Sequence, residues 1–496
     1  MRITRRRFLK GSTYCAALYA ASPAFAGEQN GTPDEADVVI IGSGIAGLAC
    51  ALSAKENNPS AHIVVLEKNT TPFYCSTAYA SGLFNVSVPH ARGPGSLYQE
   101  LLDLGHGLNN RDLLAAYVDN SQAALNWFVS HGVQVAPKSN PAFSGRKTYL
   151  PKNGGGVRYL EALYVETERL GISFVSGSKA LQLKKDTSGR VSEVVFSRGV
   201  TQHSLRAKHA VVLATGGFMG NTRKIDHYCG SNRKLFTFSS PASQGEGLEM
   251  ATEIGADTCL LDKVAGYAYG VPLDVDTRRG LIFRGDFLCS RGAIAVDNYG
   301  RRFVNEELNS PSVFGVMQNR AISECFVIAS NPQLHEFLKE DFPYVIGWDR
   351  QRFIRELETS GTFIQRFESI EQMAGRIGIS PTVLSQTIQT YNTSLATGKD
   401  RNFGRNVAGF KPLAAPFFLF ACRSVAGVSL GGLQVLPTMN VIDVHSEPIK
   451  GLFAVGEIVG GIHGDNFAGG SSLSSAATLG FLAGRCVWTQ DTETLA

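Results

Sequence analysis

Gly42-Ser43-Gly44-Ile45-Ala46-Gly47, inside "ADVVIIGSGIAGLACALSA", is the stretch most plainly arranged for chemistry. It reads GxGxxG, directly after an apolar run (Val38 to Ile41) and directly before a run of small, helix-compatible residues. In that setting Gly42 permits a tight turn, Gly44 lets a pyrophosphate reach the backbone, and Gly47 lets helix approach sheet. The helix N-terminus, opening at Ile45 and Ala46, stabilises negative charge. "HIVVLEK" then ends in Glu67, 20 residues beyond Gly47, followed by Lys68. An acid at that distance can accept hydrogen bonds from a ribose. Strand, glycine loop, helix and acid together predict a bound dinucleotide.

A second constellation lies near the other end, in "GGIHGDNFAGGSSLSSAATLGFLAGR" (Gly460 to Arg485). Its small residues suit backbone lying close to a bulky flat cofactor. Phe467 stands among them with no cationic side chain beside it. Between the two ends, "LRAKHAVVLATGGFMGN" reads as a strand ending in a turn at Gly216, and "SQGEGLEMATEIGADT" as a helix opened by glycine. "GLFAVGEIVGGIHG" gives a further strand, Leu452 to Val455, running into Gly456-Glu457. A dinucleotide domain that starts near residue 37 and finishes near 485 must be interrupted. The interruption is expected over 263–412, where aromatic, charged and amphipathic helical sequence such as "SIEQMAGRIGISPTVLSQTIQTYNTSLATG" collects. The expected fold is α/β: a Rossmann-like, doubly wound domain over 36–262 and 413–488, interrupted by an inserted α+β capping domain.

Bulk properties agree with a globular protein of more than one domain: 496 residues, 44% hydrophobic and 18% charged. Five cations (Arg2, Arg5, Arg6, Arg7, Lys10) and no acids lie in the first 26 residues; subtracting them from the formal +4 leaves −1. A near-neutral remainder gives no electrostatic reason to expect nucleic acid or an anionic membrane as partner. "TRRRFLK", a short apolar run and "ASPAFA" read as a signal peptide over 1–26, cleaved after Ala26. The paired arginines resemble a twin-arginine signal, whose machinery exports proteins already folded around a cofactor. The mature protein is expected in the periplasm, with no run apolar enough to span a bilayer. Of nine cysteines, Cys15 lies in the signal and the rest are scattered without CxxC or CxxCH; the histidines form no HExxH. No metal site and no haem in the chain are expected.

The ordered motifs GSGIAG, VVLEK, ATGGF, QGEG, RGAIAVDNYGRRFVNE, GLFAVGE and the closing glycine segment resemble the flavoprotein subunits of the fumarate reductase and succinate dehydrogenase superfamily. Secreted fumarate and urocanate reductases and 3-ketosteroid dehydrogenases belong to it. The resemblance covers nearly all of 36–486 and implies FAD. By position it implies that Gly42, Gly44 and Gly47 cradle the pyrophosphate and that Glu67 takes the adenosine ribose. "YCSTAYASG" supplies Ser76, Ala80, Ser81 and Gly82 along pyrophosphate and flavin. Ala180 takes the place of a backbone contact to adenine, and Glu246 that of an acid near the ribityl chain. Glu457, Ser472 and Leu473 match ribityl and ring contacts.

The substrate side departs from the dicarboxylate reductases, which the resemblance pictures gripping two carboxylates with two arginines and two histidines. Those four positions hold Tyr269, Ser310, Val428 and Phe467 here. Each charge-assisted hydrogen bond to a carboxylate is worth roughly 1.5–3 kcal/mol, so losing four abolishes tight dicarboxylate binding. What remains is aromatic and apolar: Phe467 and Val428, with His463 nearby, and Tyr267 and Tyr269. This points to reduction, or alternatively introduction, of a C=C bond beside an electron-withdrawing group in an apolar or aromatic substrate. The resemblance implies hydride exchange at flavin N5 while an acid serves the neighbouring carbon. Tyr269, Asp286, Tyr267 and Arg284 are the candidates. Export favours reduction, with electrons from a separate cytochrome or quinone-linked partner. Alternatives are a monocarboxylate (arylacrylate) reductase anchored by Arg284, Arg291 or Arg423, a steroid-type dehydrogenase, and a non-catalytic flavin electron-transfer subunit.

Overall fold

The computed structural model describes residues 33–71, 73–138, 147–152, 154–231 and 234–489. The segment read as a signal, 1–26, lies outside them. Principal elements run in chain order from β1 (Glu35–Ile41), α1 (Ile45–Asn57) and β2 (Ile63–Glu67) to α2 (Val157–Arg169) and β3 (Ser173–Ser176). A hairpin, β4 (Ser178–Lys185) and β5 (Val191–Arg198), leads to the long β6 (Thr201–Leu213) and then α3 (Glu246–Glu253). Next come β7 (Val264–Asp274), α4 (Gly285–Cys289), α5 (Ser310–Asn319), β8 (Glu324–Ser330), α6 (Pro381–Thr397) and β9 (Phe417–Ser429). The chain closes with β10 (Asn440–Ile442), β11 (Pro448–Ala454) and α7 (Ser471–Cys486).

These elements form two compact units. The first holds the described residues up to Cys229, then Ser239–Ala265, then Val428 onward. Its sheet runs β10-β11-β6-β1-β2-β3, with β1 parallel to β2 and β6, β11 parallel to β6, and β2 parallel to β3. Val38, Val39 and Ile40 have no exposed surface, as a central parallel strand covered on both faces requires. Helix α1 is buried from Ile45 to Ala54 and packs against α7. A Cβ on Gly480 would lie 2.3 Å from Ala46 O, and one on Gly484 2.5 Å from Cys50 O. Two glycines four apart thus bring the backbones together, so much of the small-residue character of the C-terminal segment serves helix packing.

The second unit comprises Gly230–Phe238 and Gly266–Gly427. It therefore ends some way beyond the boundary of 412 expected from the sequence. The reason is β9: it pairs antiparallel with β8 from Glu324↔Arg423 to Ser330↔Phe417, and with Phe236–Thr237 in parallel. Those pairings place the strand in this unit's own sheet. Ile294, Ile328, Met373, Leu384, Tyr391 and Leu419 form its principal core. The long amphipathic stretch breaks into Ile370–Ile377 and α6, because Gly378 turns with φ +71° and Pro381 starts the next helix. Among the described residues no helix is long and apolar enough to cross a membrane.

Candidate functional site

In the first unit the chain leaves β1 at Gly42, whose φ is +109° and where a Cβ would lie 2.4 Å from Ala214 O. Gly47 has no more room: a Cβ there would lie 2.1 Å from Gly42 O. Gly44 differs. A Cβ there meets only Thr77 Oγ1, at 3.6 Å, an ordinary contact. The protein itself leaves that side of Gly44 open, as a pyrophosphate approaching the backbone needs. Both helices that begin nearby on glycine, α1 after Gly44 and α7 after Gly470, lack a cap from the glycine itself. Ile45 N and Ser471 N donate to Thr77 Oγ1 and Ala468 O, and the next amides of each first turn remain to meet an anion. Thr77 Oγ1 accepts from Ile45 N at 3.1 Å and fixes the entry to α1. Its neighbour Ala46 is buried.

Glu67, at the end of β2, is half-buried and accepts four hydrogen bonds. Ser43 N (3.0 Å) and Ser43 Oγ (2.8 Å) donate to Oε2; Asn69 N (2.9 Å) and Nδ2 (2.7 Å) donate to Oε1. Two of these donors are backbone and fixed; two are side chains that can turn away for a ribose hydroxyl. Tyr164 of α2 donates to Ser43 Oγ at 2.8 Å. Ser43, Asn69, Thr77 and Tyr164 escaped the sequence reading. Ser43 and Thr77 stood inside the quoted motifs, whereas Tyr164 is 121 residues from Ser43 and carried no local signal.

Glu246, expected near the ribityl chain, opens α3 with two lysine partners. It pairs with Lys68 at 2.8 Å and Lys179 at 3.7 Å, and Lys68 directly follows Glu67. Lys68 also donates to Ala242 O at 2.5 Å. Ser76 shares a hydrogen bond of 2.9 Å with Ser243, Ala80 O accepts from Gly156 N at 2.9 Å, and Ser81 is exposed. Gly82 (φ +82°) is closed in by Gly155, whose carbonyl carbon would lie 2.9 Å from a Cβ there. Ala180 is buried in β4 opposite Phe196. Gly216 (φ +72°) is open, with only Ser243 Oγ at 3.6 Å. Ser472 is half-buried and Leu473 buried in the first turn of α7. Glu457 Oε1 accepts from Ser429 N (3.0 Å) and Oγ (3.1 Å). Burial pushes its carboxyl up to about 7, with the Ser429 bonds pulling the other way.

Phe467 and Val428 do come together. Phe467, itself buried, packs with Ala265 and Leu430, and Val428 lies against the same cluster. The His463 ring meets the Phe467 ring edge-on at 6.4 Å. His463 itself is buried, with Nε2 3.3 Å from Ser475 Oγ and Nδ1 covered and unpartnered. Burial pulls it down to about 4, so it is a neutral residue holding the start of α7.

The second unit sorts the acid candidates. Tyr269 has no exposed surface. Gly285 lies against its ring, a Cβ there falling 2.6 Å from Cγ, and Cys289 Sγ reaches its hydroxyl at 4.0 Å. Helix α4 closes over it, so Tyr269 is core. Tyr267 is half-buried and packs on Phe238 at 5.7 Å. Burial raises its phenol, the Arg284 charge lowers it and that of Asp286 raises it. Asp286 is raised by burial and lowered by Arg284, and its Oδ1 has no partner. Tyr267, Arg284 and Asp286 therefore form one electrostatic group. Ser310 is buried at the start of α5, where its Oγ accepts from Ala268 N at 3.1 Å. Of the arginines considered as anchors, Arg291 is paired to Glu340 and Arg423 to Glu324. Arg284 makes no carboxylate ion pair among the described residues; its guanidinium lies 5.7 Å from the Phe287 ring. Beneath α4, Arg405 donates to Cys289 O and to Ala293 O (2.9 Å) and pairs with Glu306 at 3.2 Å. Arg302 joins Glu306 and Asp400, the latter at 2.9 Å.

The open side of Gly44, the uncapped amides of two helices and the reachable Glu67 fit a dinucleotide. The family model described as "FAD binding domain" matches residues 37–473. The chain is 26% identical over 489 residues to the NADH:fumarate oxidoreductase of Klebsiella pneumoniae (strain 342), covering 94% of this chain and 49% of that one. It thus spans about half the length of that relative. It is 24% identical over 482 residues to the vinyl phenol reductase of Lactiplantibacillus plantarum, covering 91% of this chain and 95% of that one. Its fold is similar to the crystal structure of 3-ketosteroid delta1-dehydrogenase from Sterolibacterium denitrificans, with a TM-score of 0.77 at 19% identity over 92% of this chain and 99% of that one. The chain belongs to the FAD binding domain family, and FAD is its cofactor.

Proposed function

We propose that this protein is an FAD-dependent oxidoreductase that reduces a C=C bond conjugated to an electron-withdrawing group in an apolar or aromatic substrate. The observation that carries the reading is the uncharged cluster of Phe467, Val428, Leu430 and Ala265, where the resembled dicarboxylate reductases place cations. A phenyl ring there suits a flat apolar partner and offers a carboxylate nothing. Similarity to a vinyl phenol reductase supports the aromatic class. FAD, when bound, supplies hydride exchange. The chain's own part is to hold the cofactor through the Gly44 loop and Glu67 and to hold a proton on Tyr267, with Arg284 and Asp286 setting its acidity. We further propose export by the 1–26 signal to the periplasm and a separate cytochrome or quinone-linked electron donor.

A second reading, reduction of an arylacrylate, rests on Arg284, the one proposed anchor without a carboxylate partner among the described residues. One experiment separates the readings. The purified holoprotein is reduced without oxygen, and the return of the oxidised flavin band is timed after adding fumarate, cinnamate, 4-vinylphenol or a steroid enone. Fast return with 4-vinylphenol or the enone supports the main reading, and with cinnamate alone the second. Efficient turnover of fumarate overturns both. Response to none of them, with fast exchange to a cytochrome, marks an electron-transfer subunit instead.

A further inference from the structure

Four contacts join the turn Gly105–Asn110 to the glycine segment that carries Phe467. Asn109 Nδ2 donates to Ile462 O at 2.9 Å, and Asn110 N donates to Gly461 O at 2.8 Å. Gly464 rests on Gly105, where a Cβ would come within 2.4 Å of Gly105 O. His106 Nδ1 meets Asp465 Oδ1 at 2.8 Å on the surface. Packing along the junction is uneven, tight at Gly460 and Gly464 and loose at Gly461 and Gly469. A cavity of about 270 Å³, lined among others by Leu108, Cys259, Leu260 and Gly460, adjoins the same junction. A Cβ on Gly461 would find its nearest atoms 3.5 Å away, and one on Gly469 would find none within 4 Å. Between the buried side chains of Ile462, His463 and Phe467 the segment is glycine-rich and runs beside open space, so hydrogen bonds join packing in setting its course.

We propose that the turn Gly105–Asn110 is a clasp that fixes the position of Phe467 and so sets substrate selectivity, with Asn109 as its central positioning residue. Asn109 is the natural centre because its amide is buried and ties two strands of chain at once, donating also to Leu101 O at 3.3 Å. His106–Asp465 closes the outer end. The proposal rests on the reading of Phe467 as a substrate contact.

The test uses full-length holoprotein and 4-vinylphenol as probe, with binding read from the shift of the flavin visible band and turnover from reoxidation rates. Asn109→Ala is expected to weaken probe binding about five- to tenfold, as for one lost buried hydrogen bond. FAD content and the rate at saturation should stay within about twofold. Combined with Phe467→Leu, the Asn109→Ala effect should shrink to within about twofold, since both act through one ring. Should Asn109→Ala fold poorly, Asp465→Asn, on the surface, is expected to give the same split at smaller amplitude. If Phe467→Leu leaves probe binding unchanged, or wild type gives no saturable shift, the reading of Phe467 fails and takes the clasp with it. If Phe467→Leu weakens binding while both clasp variants leave it intact, or if the effects of Asn109→Ala and Phe467→Leu simply add, the clasp alone is overturned.

Discussion

Substituting Gly44 separates what the cofactor requires from what the fold requires. Gly44 has φ −71° and ψ 178°, an extended conformation that any residue adopts. A Cβ there touches only Thr77 Oγ1, at 3.6 Å. Gly44→Ala therefore strains nothing. The stiffer unfolded chain, worth about 0.4–1 kcal/mol, offsets what Ala loses against Gly as the N-cap of α1, so the FAD-free stability should change by less than about 1 kcal/mol. Gly47→Ala behaves differently: its new carbon lies 2.1 Å from Gly42 O, and moving α1 off the loop costs about 1–3 kcal/mol. For FAD the order reverses. A methyl on Gly44 occupies the open side where the pyrophosphate must approach, and one lost charge-assisted hydrogen bond lowers affinity about 10- to 150-fold. The assay compares FAD content, from visible against ultraviolet absorbance, with the melting temperature of FAD-free protein. Wild-type FAD affinity in Gly44→Ala, or an FAD-free melting temperature as low as that of Gly47→Ala, refutes the reasoning.

Three further outcomes are expected. Burial raises the Glu457 carboxyl to about 7 from about 4.3 in the unfolded chain, so the unfolded state ionises first and stability falls by about 3–4 kcal/mol as pH rises through that interval. Glu457→Gln should remove that slope from denaturation curves of FAD-free protein taken at several pH values, and equal slopes count against the assignment. Arg405→Met leaves Glu306 facing one arginine and releases two carbonyls beneath α4, and should lower stability by about 3–5 kcal/mol, seen as a lower denaturant midpoint. Phe467→Leu should keep FAD but weaken binding of an aromatic substrate by roughly 1–3 kcal/mol. Phe467→Arg should lower the native rate without creating fumarate turnover, because one unpaired guanidinium in an apolar cluster is costly to desolvate.

What could be read from the sequence was what neighbouring residues decide. GSGIAG and the apolar Val38–Ile41 are local, and the parallel strand and loop follow from them. The reach of β9 was not local: "FFLFACRSVAGVS" is apolar enough for a buried strand of either sheet, and only its pairing with Glu324–Ser330 assigns it. Gly480 and Gly484 could have been read as a helix-packing face from their spacing of four, yet they looked like cofactor backbone because glycine serves both uses. Position along a motif does not reveal that Lys68 and Lys179 hold Glu246. Tyr267 and Tyr269 lie two apart and so share one face of β7. No periodicity says that α4 covers the second and leaves the first half-exposed.

That last distinction also bears on the direction of the reaction. Tyr267 and Asp286 both hold their protons more tightly than usual, burial being the first cause and Arg284 opposing it in each. A phenol that stays protonated across neutral pH can give a proton to the carbon next to the hydride acceptor but cannot take one away. On the proposed reading of Tyr267 as the acid, a protonated phenol suits reduction, in which it gives the proton. Reoxidation of reduced flavin by substrate should therefore be flat across neutral pH and fall only in alkali, as the phenol ionises. Tyr267→Phe should slow it by about 10²–10⁴-fold, the usual contribution of a general acid. Tyr269→Phe removes only the weak contact from Cys289 Sγ at 4.0 Å and should leave the rate alone. A rate that climbs steeply with pH through neutrality, or equal damage from the two tyrosine variants, would show that Tyr267 is not the acid.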